Sequence, residues 1–419
     1  MTNTQLAIYF FLQIAVILIA CQAVGAVARR MGQPQVVAEM VAGIALGPSV
    51  LGLLWPQAFA TLFPADSMRV LFPVAQLGLA GYMFVVGLEF RIDIVRREAR
   101  SAMAVSVVGM VSPFVLGAAL GWWLHRHTAL FPEKTTLMAA TIFIGASMCI
   151  TAFPMLARII QHKQLGGTVM GTVSLGAGAI NDAAAWALLT FVLASMDGDF
   201  SQVALNLGGG VGYVAVVLLP VRRLLARWAE GIEARGRLAD SEFVLCLSLL
   251  ALGAWFTDAI GLHAVFGAFV MGAAMPRGAV STALIERVQP LNVALLLPLF
   301  FTFSGLNTQI GLIDSAYLWA IAGLILFVAI AGKGVACWLA ARATGVSNRE
   351  ALGIGTLMNV RGLMELIILN IGLQRGIISP ALFAALVVMA VVTTLMAVPV
   401  FDLLVGKNPA GEGGRSRAG

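Results

Sequence analysis

Apolar segments of about twenty residues, separated by short polar connections, make up most of the chain. About 20 apolar residues is the length at which an α-helix spans the hydrocarbon core of a bilayer. Charged residues, prolines and glycines divide the apolar sequence, and this pattern predicts thirteen membrane-spanning helices. The predicted spans are 6–28, 36–54, 70–90, 101–124, 136–159, 166–196, 202–221, 243–260, 262–276, 291–308, 314–341, 349–372 and 379–405. The predicted fold class is therefore an all-α polytopic membrane protein.

The distribution of Lys and Arg supports this number of spans and gives an orientation. Of the 26 basic residues, twenty lie in or at the edges of connections that follow odd-numbered spans, four in connections that follow even-numbered spans and two deep within spans. Because cytoplasmic loops carry the excess of Lys and Arg, we expect the N-terminus outside and the C-terminus in the cytoplasm, in a multi-pass protein of the cytoplasmic (inner) membrane. The net charge of +6 then reflects topology and does not indicate nucleic-acid binding.

Composition and motifs exclude several other classes of protein. Only 11% of the residues are charged, whereas a soluble domain has about 25%. The four cysteines lie in apolar segments without a CxxC pair, and the four histidines are scattered. The sequence has no Walker loop, HExxH motif or GxSxG motif. We therefore expect neither an enzyme nor a bound cofactor.

A charged segment divides the predicted membrane domain, 1–405, into two halves. The first half is 1–221, the segment 222–242 is predicted to be an amphipathic cytoplasmic linker, and the second half is 243–405. The remaining residues, 406–419, are short and polar and are predicted to be a disordered cytoplasmic tail. No soluble domain follows in this sequence, so we expect no regulation through an attached nucleotide-binding domain.

Each half contains a span that is interrupted near its middle. In the first half the interruption is Thr151-Ala-Phe-Pro154, where proline removes a backbone donor and bends the helix. In the second half it is Met358-Asn-Val-Arg-Gly362, a polar and glycine-containing stretch at membrane depth. The number of spans between them places the halves in opposite orientations, as in an inverted repeat. Paired interrupted helices mark the ion site of many secondary transporters.

Asp182 lies in apolar sequence near the middle of the sixth predicted span. A carboxylate at that depth costs about 2.5–3.5 kcal/mol on insertion scales, so it is usually functional. It can hold a proton or a metal ion, but not both well, and this competition is the basis of exchange. Asn181 offers an amide oxygen beside it, and the hydroxyl of Thr151 could complete an oxygen shell for a hard monovalent cation.

Three more charged residues lie deep within predicted spans, away from their ends, namely Lys333, Arg361 and Glu365. Arg361 and Glu365 are four residues apart, which puts them on one helix face and predicts a mainly structural buried ion pair. Lys333 either neutralises the carbonyl ends of the interrupted helices or approaches Asp182, and the sequence favours neither. Glu39, near the cytoplasmic end of its span, is a candidate for the lining of an access funnel.

Seven ordered motifs resemble those of a known family. They are AEMVAGIALGPSVLG (38–52), FVVGLEF (84–90), TAFPMLARII (151–160), INDAAAWALL (180–189), LHAVFGAFVMG (262–272), LFFTFSG (299–305) and NVRGLMELIILNIG (359–372). The chain resembles the monovalent cation:proton antiporter-2 family from about residue 10 to 400, most closely its plant-type cation/proton exchanger branch and bacterial relatives. The resemblance implies an NhaA-like antiporter fold of about thirteen helices, with an inverted repeat, two crossed unwound helices and a domain that forms a homodimer.

The resemblance also implies roles for individual residues. Asp182 matches the family's essential aspartate, which binds the ion and the proton. Asn181 matches a position that is a second aspartate in electrogenic relatives and neutral in electroneutral ones. Lys333 matches a basic residue of a core helix, and Thr151 and Asn359–Gly362 match the two unwound crossings. A related branch has a hydroxyl one turn before the aspartate.

At that position this chain has Gly178 instead of a hydroxyl residue. The resemblance therefore does not define the coordination shell of the aspartate.

We expect a secondary active transporter that exchanges protons for Na⁺, K⁺ or both by alternating access, with Asp182 as the shared site. One carboxylate beside the neutral Asn181 predicts one proton per cation, and hence an electroneutral cycle. An alternative on the same fold is a sodium-coupled organic-anion symporter, which needs a second sodium site for which the sequence offers no clear residues. An intramembrane hydrolase would need a second catalytic group facing Asp182. Na⁺ and K⁺ are not distinguished, because selectivity depends on the geometry of the cavity.

Overall fold

The computed structural model describes residues 1–30, 32–90, 92–197, 201–306, 313 and 315–406. Most of the predicted tail, from 407 onward, lies outside the described residues. The described chain is helical, and its helices are α1 (Asn3–Arg30), α2 (Gln35–Leu46), α3 (Leu51–Leu54), α4 (Pro56–Leu62), α5 (Ala65–Glu89), α6 (Ile92–His127), α7 (Leu137–Cys149), α8 (Phe153–His162), α9 (Val169–Asp197), α10 (Ser201–Val216), α11 (Arg222–Glu233), α12 (Asp240–Ala259), α13 (Ala264–Ala274), α14 (Ala279–Leu291), α15 (Leu297–Leu306), α16 (Ala316–Ile330), α17 (Ala336–Ala343), α18 (Asn348–Met358), α19 (Leu363–Gln374) and α20 (Pro380–Val405). Three π-helical segments join consecutive helices, at Val217–Val221, Asn292–Leu296 and Ala331–Val335.

Ten helical stretches of the described residues are long and apolar enough to cross a membrane. They are Asn3–Arg30, Gln35–Leu54, Ala65–Glu89, Glu98–His127, Leu137–His162, Ala204–Arg235, Asp240–Ala259, Ala279–Phe303, Ala316–Ala343 and Pro380–Val405. Each overlaps a predicted span, but Ala279–Phe303 begins well before the predicted span 291–308, and Ala204–Arg235 continues well beyond the predicted span 202–221. The other predicted spans, 166–196, 262–276 and 349–372, coincide with α9, with the shorter helix α13 and with the pair α18 and α19. The predicted all-α membrane architecture is confirmed.

The chain forms two compact units, and each unit combines segments from both halves of the sequence. Unit 1 consists of Met1–Ile19, Thr61–Ile92 and Leu193–Phe303. Unit 2 consists of Ala20–Ala60, Asp93–Val192 and Ser304–Gly419.

Glycines allow α5 and α13 of unit 1 to pack backbone against backbone. A Cβ atom at Gly87 would collide with the carbonyl oxygen of Phe269, and one at Gly272 would collide with the carbonyl oxygen of Phe84. Small residues at such positions are a usual means of close helix packing in membranes, where apolar surface alone does not favour association.

The charged segment after the seventh predicted span begins with a helix. α11 continues from α10 through the π-helical segment Val217–Val221, so the helix does not end at residue 221 as the sequence predicts. Pro220 lies in that segment, and the wider π turn accommodates the missing N–H without ending the helix. Leu225, Ala229 and Ile232 are buried while most of the charged residues of α11 are exposed, in keeping with the predicted amphipathic pattern.

Unit 2 contains both interrupted helices. The first interruption is 150–152, between α7 and α8, and the second is 359–362, between α18 and α19. The N–H of Ala152 donates a hydrogen bond to the carbonyl oxygen of Val360 at 3.1 Å, so the two interruptions contact each other. The predicted first interruption extended to Pro154. Pro154 instead lies in the first turn of α8, where a missing N–H removes no helical hydrogen bond.

Hydroxyl side chains fix the start of several helices in unit 2. Thr136, Ser347 and Ser379 precede α7, α18 and α20, and each accepts a hydrogen bond from a backbone N–H of the first turn. Such caps satisfy donors that have no partner within the helix and contribute about 0.5–2 kcal/mol each. These caps fix the first residues of α7 and α18, which lead into the two interruptions, and of α20, which flanks the second.

Candidate ion-binding site

Every predicted site residue lies in unit 2, and each is at least 95% buried. These residues are Glu39, Thr151, Asn181, Asp182, Lys333, Arg361 and Glu365, with the segment Asn359–Gly362. They come from α2, from both interruptions, from α9, from the π-helical segment Ala331–Val335 and from α19. Residues that are far apart in the sequence are thus placed within one compact body.

Asp182 is 2% exposed, and neither of its carboxylate oxygens has a hydrogen-bond partner among the described residues. One turn before Asp182, its helix α9 packs closely against α8. A Cβ atom at Gly178 would lie 2.8 Å from Cδ2 of Leu156 and 3.2 Å from Cδ2 of Phe153. At the position that carries a hydroxyl in a related branch, a larger side chain would therefore displace the side chains of Leu156 and Phe153, which pack against Gly178 at the start of α8.

Asn181 is oriented by a residue that the sequence analysis missed. The hydroxyl of Ser106, on α6, donates a hydrogen bond to Oδ1 of Asn181 at 2.6 Å, and both residues are 1% exposed. The amide oxygen that the sequence offers as a cation ligand thus already accepts a hydrogen bond. Serine is common in apolar helices, so the sequence around Ser106 carries no signal of this contact.

Two cations neutralise the C-terminal end of α7, at the first interruption. Lys333 donates a hydrogen bond from Nζ to the carbonyl oxygen of Cys149. Arg361 donates from Nη2 to the carbonyl oxygen of Met148 at 2.8 Å and from Nη1 to that of Ser147 at 3.4 Å. The last carbonyl groups of a helix have no intrahelical partner and carry partial negative charge. The two side chains therefore stabilise a helix end that is buried away from water.

The position of Lys333 distinguishes between the two roles that the sequence leaves open. Its Nζ binds a carbonyl oxygen of the interrupted helix, and among the described residues Asp182 receives no hydrogen bond from it. Lys333 lies in the π-helical segment Ala331–Val335, between Gly332 and Gly334. π-Helical turns inside α-helices occur frequently at functional sites, and this one contains the buried lysine.

The ion pair predicted from the spacing of Arg361 and Glu365 is present, with Nη1 of Arg361 3.2 Å from Oε1 of Glu365. Both side chains are completely buried. Thr394, on α20, fixes the backbone of the same interruption, because its Oγ1 accepts a hydrogen bond from the N–H of Arg361 at 3.1 Å and donates to its carbonyl oxygen at 2.6 Å. The sequence analysis missed Thr394, which lies in an otherwise apolar span.

Several buried oxygen atoms near the interruptions have no hydrogen-bond partner within the described part of the chain. They include Oγ1 of Thr151, both carboxylate oxygens of Asp182 and Oδ1 of Asn359. Most buried polar atoms are hydrogen-bonded, so such atoms call for an explanation such as an ion or an ordered water molecule. Hydroxyl, amide and carboxylate oxygens are the donors that hard cations prefer.

Glu39 lies on α2 and is 1% exposed. Its carboxylate is hydrogen-bonded by the side chain of Gln35 and interacts with the charge of Arg158, on α8. The structure thus connects Glu39 electrostatically to the helix that follows the first interruption. Its predicted place in an access funnel remains a prediction.

Comparison with known proteins finds a family and related sequences that match almost the whole chain. The profile of the family described as "Sodium/hydrogen exchanger, transmembrane" matches residues 14–406. The Na(+)/H(+) antiporter NhaS4 of Synechocystis is 38% identical over 401 residues, which cover 95% of this chain and 97% of that protein. Cation/H(+) antiporter 15 of Arabidopsis thaliana is 36% identical over 94% of this chain.

The chain spans about half the length of some of these relatives. It covers 48% of the Arabidopsis protein and 47% of the K(+)/H(+) antiporter 1 of Saccharomyces cerevisiae, to which it is 32% identical. Among solved structures, the sodium proton antiporter MjNhaP1 of Methanocaldococcus jannaschii aligns over 96% of this chain and 98% of its own, with a TM-score of 0.63 and 14% identity. This likeness concerns the fold alone, and it confirms the NhaA-like architecture predicted from the motifs.

Proposed function

The chain belongs to the sodium/hydrogen exchanger family, within the monovalent cation:proton antiporter-2 group that its motifs resemble, and we propose on this basis that it exchanges protons for monovalent cations across a membrane. Proteins of this family are secondary transporters, so the protein is not an enzyme. The observation that carries the proposal is Asp182, a buried carboxylate whose two oxygens have no hydrogen-bond partner among the described residues.

An ionised carboxylate that is buried without compensation is unstable, because it loses its hydration and gains nothing in return. Asp182 must therefore hold either a proton or a metal cation. One occupant excludes the other, since a protonated carboxyl group has no charge to attract a cation. Alternating access of this single site to the two sides of the membrane would exchange protons for cations. The hydroxyl of Thr151, whose oxygen has no hydrogen-bond partner among the described residues, is our second candidate ligand.

The proposed cycle is electroneutral, with one proton exchanged for one cation. The neighbour of Asp182 is the uncharged Asn181, so a single charge is exchanged at the site. Arg361 donates hydrogen bonds to carbonyl oxygens of α7 and pairs with Glu365, and a guanidinium group stays protonated, which supports a constant charge on Arg361 throughout the cycle.

We further propose that the cation is Na⁺, K⁺ or both, since both ions occur in the names of the relatives. The proposed setting is a homodimer in the cytoplasmic membrane, with the N-terminus outside. Nothing in the comparisons supports the alternative of a sodium-coupled organic-anion symporter.

The decisive experiment measures proton flux in proteoliposomes with an entrapped pH-sensitive dye after addition of Li⁺, Na⁺, K⁺ or Rb⁺. We expect the substitution Asp182→Asn to abolish cation-driven flux, because asparagine cannot alternate between a proton and a cation. Asp258→Asn is the matched control, since Asp258 lies exposed on α12 in unit 1. It should keep the wild-type flux.

Persistent cation-coupled flux in the Asp182→Asn protein, at wild-type rates, would reject the assignment. The stoichiometry is tested separately by collapsing the membrane potential with valinomycin in the presence of K⁺. An electroneutral exchanger keeps its rate under this treatment, whereas a rate that depends on the potential would contradict one-for-one exchange.

Ser106 is proposed as a positioning residue, because it holds the amide group next to Asp182. Removing one hydrogen bond of about 0.5–1.5 kcal/mol should raise the KM for the cation roughly two- to tenfold in Ser106→Ala, with a smaller effect on the maximal rate. Ser101→Ala, on the same helix, is the control. An unchanged KM in the Ser106 variant would exclude this role.

A further inference from the structure

A proline lies inside α6, the helix that carries Ser106. Pro113 is buried, and its backbone nitrogen has no proton. The carbonyl oxygen of Gly109, four residues earlier, therefore lacks the donor that an α-helix normally provides. Because the hydrocarbon core of a bilayer contains no water to replace that donor, a carbonyl group freed in this way needs another partner.

Another helix of unit 2 shows how such a carbonyl group can be satisfied. Pro399 lies inside α20 and frees the carbonyl oxygen of Leu395. This oxygen accepts a hydrogen bond from Nε2 of Gln33 at 3.1 Å. In α20, therefore, a side chain from another segment of the chain replaces the helical donor.

The carbonyl group freed in α6 lies beside the proposed ion site. A Cβ atom at Gly109 would lie 3.7 Å from Nδ2 of Asn181 and 2.7 Å from Sγ of Cys337, so the backbone of α6 closely approaches α9 and α17. Glycine permits this approach because it has no side chain. Asn181 directly precedes Asp182 in α9, so Gly109 is a neighbour of the shared site.

Two side-chain donors at this place are used elsewhere. The hydroxyl of Ser106, one turn before Gly109, donates to Oδ1 of Asn181 at 2.6 Å. The thiol of Cys337 is directed to the carbonyl oxygen of Val105, with its sulfur at 3.8 Å. Neither of them replaces the donor that Pro113 removes from α6.

A cation bound at Asp182 needs further oxygen ligands. Asp182 and Thr151 offer oxygen atoms without a hydrogen-bond partner among the described residues, whereas the amide oxygen of Asn181 is already used by Ser106. Backbone carbonyl oxygens replace the hydration shell of K⁺ in channel filters and bind Na⁺ at unwound helices of transporters. A carbonyl group is uncharged, so it adds a ligand without changing the charge that is exchanged.

We propose that the carbonyl oxygen of Gly109, made available by Pro113, is a further ligand of the transported cation. The cation takes the place of the helical donor that proline lacks, so Pro113 is a positioning residue that raises the affinity of the site. The inference rests on the proposed exchange at Asp182 and adds one ligand to it.

Selective labelling isolates this carbonyl group in the wild-type protein, because Gly109–Met110 is the single Gly–Met pair of the sequence. Protein with ¹³C at glycine carbonyls and ¹⁵N at methionine gives one ¹³C–¹⁵N correlation in solid-state NMR of proteoliposomes. We expect this signal to shift saturably on titration with the cation that drives proton flux. The Asp182→Asn protein should show no shift, because it binds no cation.

The matched control is the carbonyl group of Gly121, about three turns further along the same helix. Gly121–Trp122 is the single Gly–Trp pair of the sequence, so ¹⁵N-tryptophan isolates it in the same way. Its signal should not move during the titration. A cation that merely changes the conformation of α6 would instead shift both signals.

Pro113→Ala tests the role of the proline. The new N–H donates to the carbonyl oxygen of Gly109, and the cation must then displace a helical hydrogen bond. We expect the KM for the cation to rise roughly two- to tenfold, with a smaller effect on the maximal rate. Pro399→Ala is the matched control, since the carbonyl group that it affects is bonded to Gln33, and it should keep the wild-type KM.

Three results would overturn the inference in a protein that shows cation-driven flux. They are a Gly109 signal that does not move, equal shifts of the Gly109 and Gly121 signals, and an unchanged KM in a folded Pro113→Ala protein. The labelling experiment needs no substitution, so it decides the matter even if that variant does not fold. Absence of cation-driven flux in the wild-type protein would instead reject the proposed function itself.

Discussion

Replacement of Arg361 by methionine tests how the two interruptions are held together. The guanidinium group is completely buried and donates hydrogen bonds to the carbonyl oxygens of Met148 at 2.8 Å and Ser147 at 3.4 Å, and to Glu365 at 3.2 Å. Methionine is an unbranched side chain that fills much of the same space but has no charge and no donor. Arg361→Met therefore removes the electrostatic contacts with a limited change in packing.

Two effects lower the free energy of unfolding in this variant. Removing one partner of a buried ion pair destabilises a protein by about 3–5 kcal/mol, because the remaining charge, here that of Glu365, is left buried. A buried carbonyl group that loses its donor costs a further ~1–3 kcal/mol. Neighbouring contributions are not additive, so we expect the free energy of unfolding to fall by about 3–5 kcal/mol in total.

The double substitution Arg361→Met with Glu365→Leu separates these two effects. It removes the uncompensated carboxylate, and apolar replacement of a whole buried pair is often neutral. The carbonyl groups at the end of α7 still lose their donor, so the free energy of unfolding should remain about 1–3 kcal/mol below that of the wild type. Equilibrium unfolding in mixed micelles, followed by tryptophan fluorescence, measures all the variants. Arg223→Met, at an exposed position of α11, is the control and should leave unfolding nearly unchanged.

Two results would refute this reasoning. If the double variant is as stable as the wild type, Arg361 serves only to pair with Glu365 and the carbonyl contacts contribute nothing. If Arg361→Met alone is as stable as the Arg223 control, neither the ion pair nor the carbonyl contacts stabilise the protein.

Two further pairs of variants test the packing around the second interruption, with thermal unfolding in detergent as the measurement. Thr394→Val should lower stability by about 1–3 kcal/mol, because it loses both contacts with the backbone of Arg361. Thr393→Val should cost less, since that hydroxyl bonds only carbonyls of its own helix. Gly355→Ala should cost about 1–3 kcal/mol, because its Cβ would lie 2.5 Å from the oxygen of Gly334. Gly334→Ala should be tolerated, because the atom closest to the added Cβ, the oxygen of Gly355, would lie 3.6 Å away. Equal losses of stability within either pair would contradict this account.

Local features of the sequence predict most of the helices of this protein and the character of its site. Backbone groups in a bilayer must be satisfied within the helix, so apolar length and polar interruptions are local properties that can be read directly. The stretch 358–362 predicts the interruption found at 359–362. The spacing of Arg361 and Glu365 predicts their contact, since helix geometry fixes it. The burial of Asp182 follows from its apolar surroundings alone.

Which polar groups meet depends on how the helices pack in three dimensions. Lys333 binds the carbonyl oxygen of Cys149, 184 residues away, and Ser106 binds Asn181, 75 residues away. Hydropathy shows that a helix is buried but not which of its faces meets which neighbour, and many donors and acceptors along the chain are chemically equivalent. The choice among them depends on close packing at positions such as Gly178, where a few tenths of an ångström determine which helices can approach.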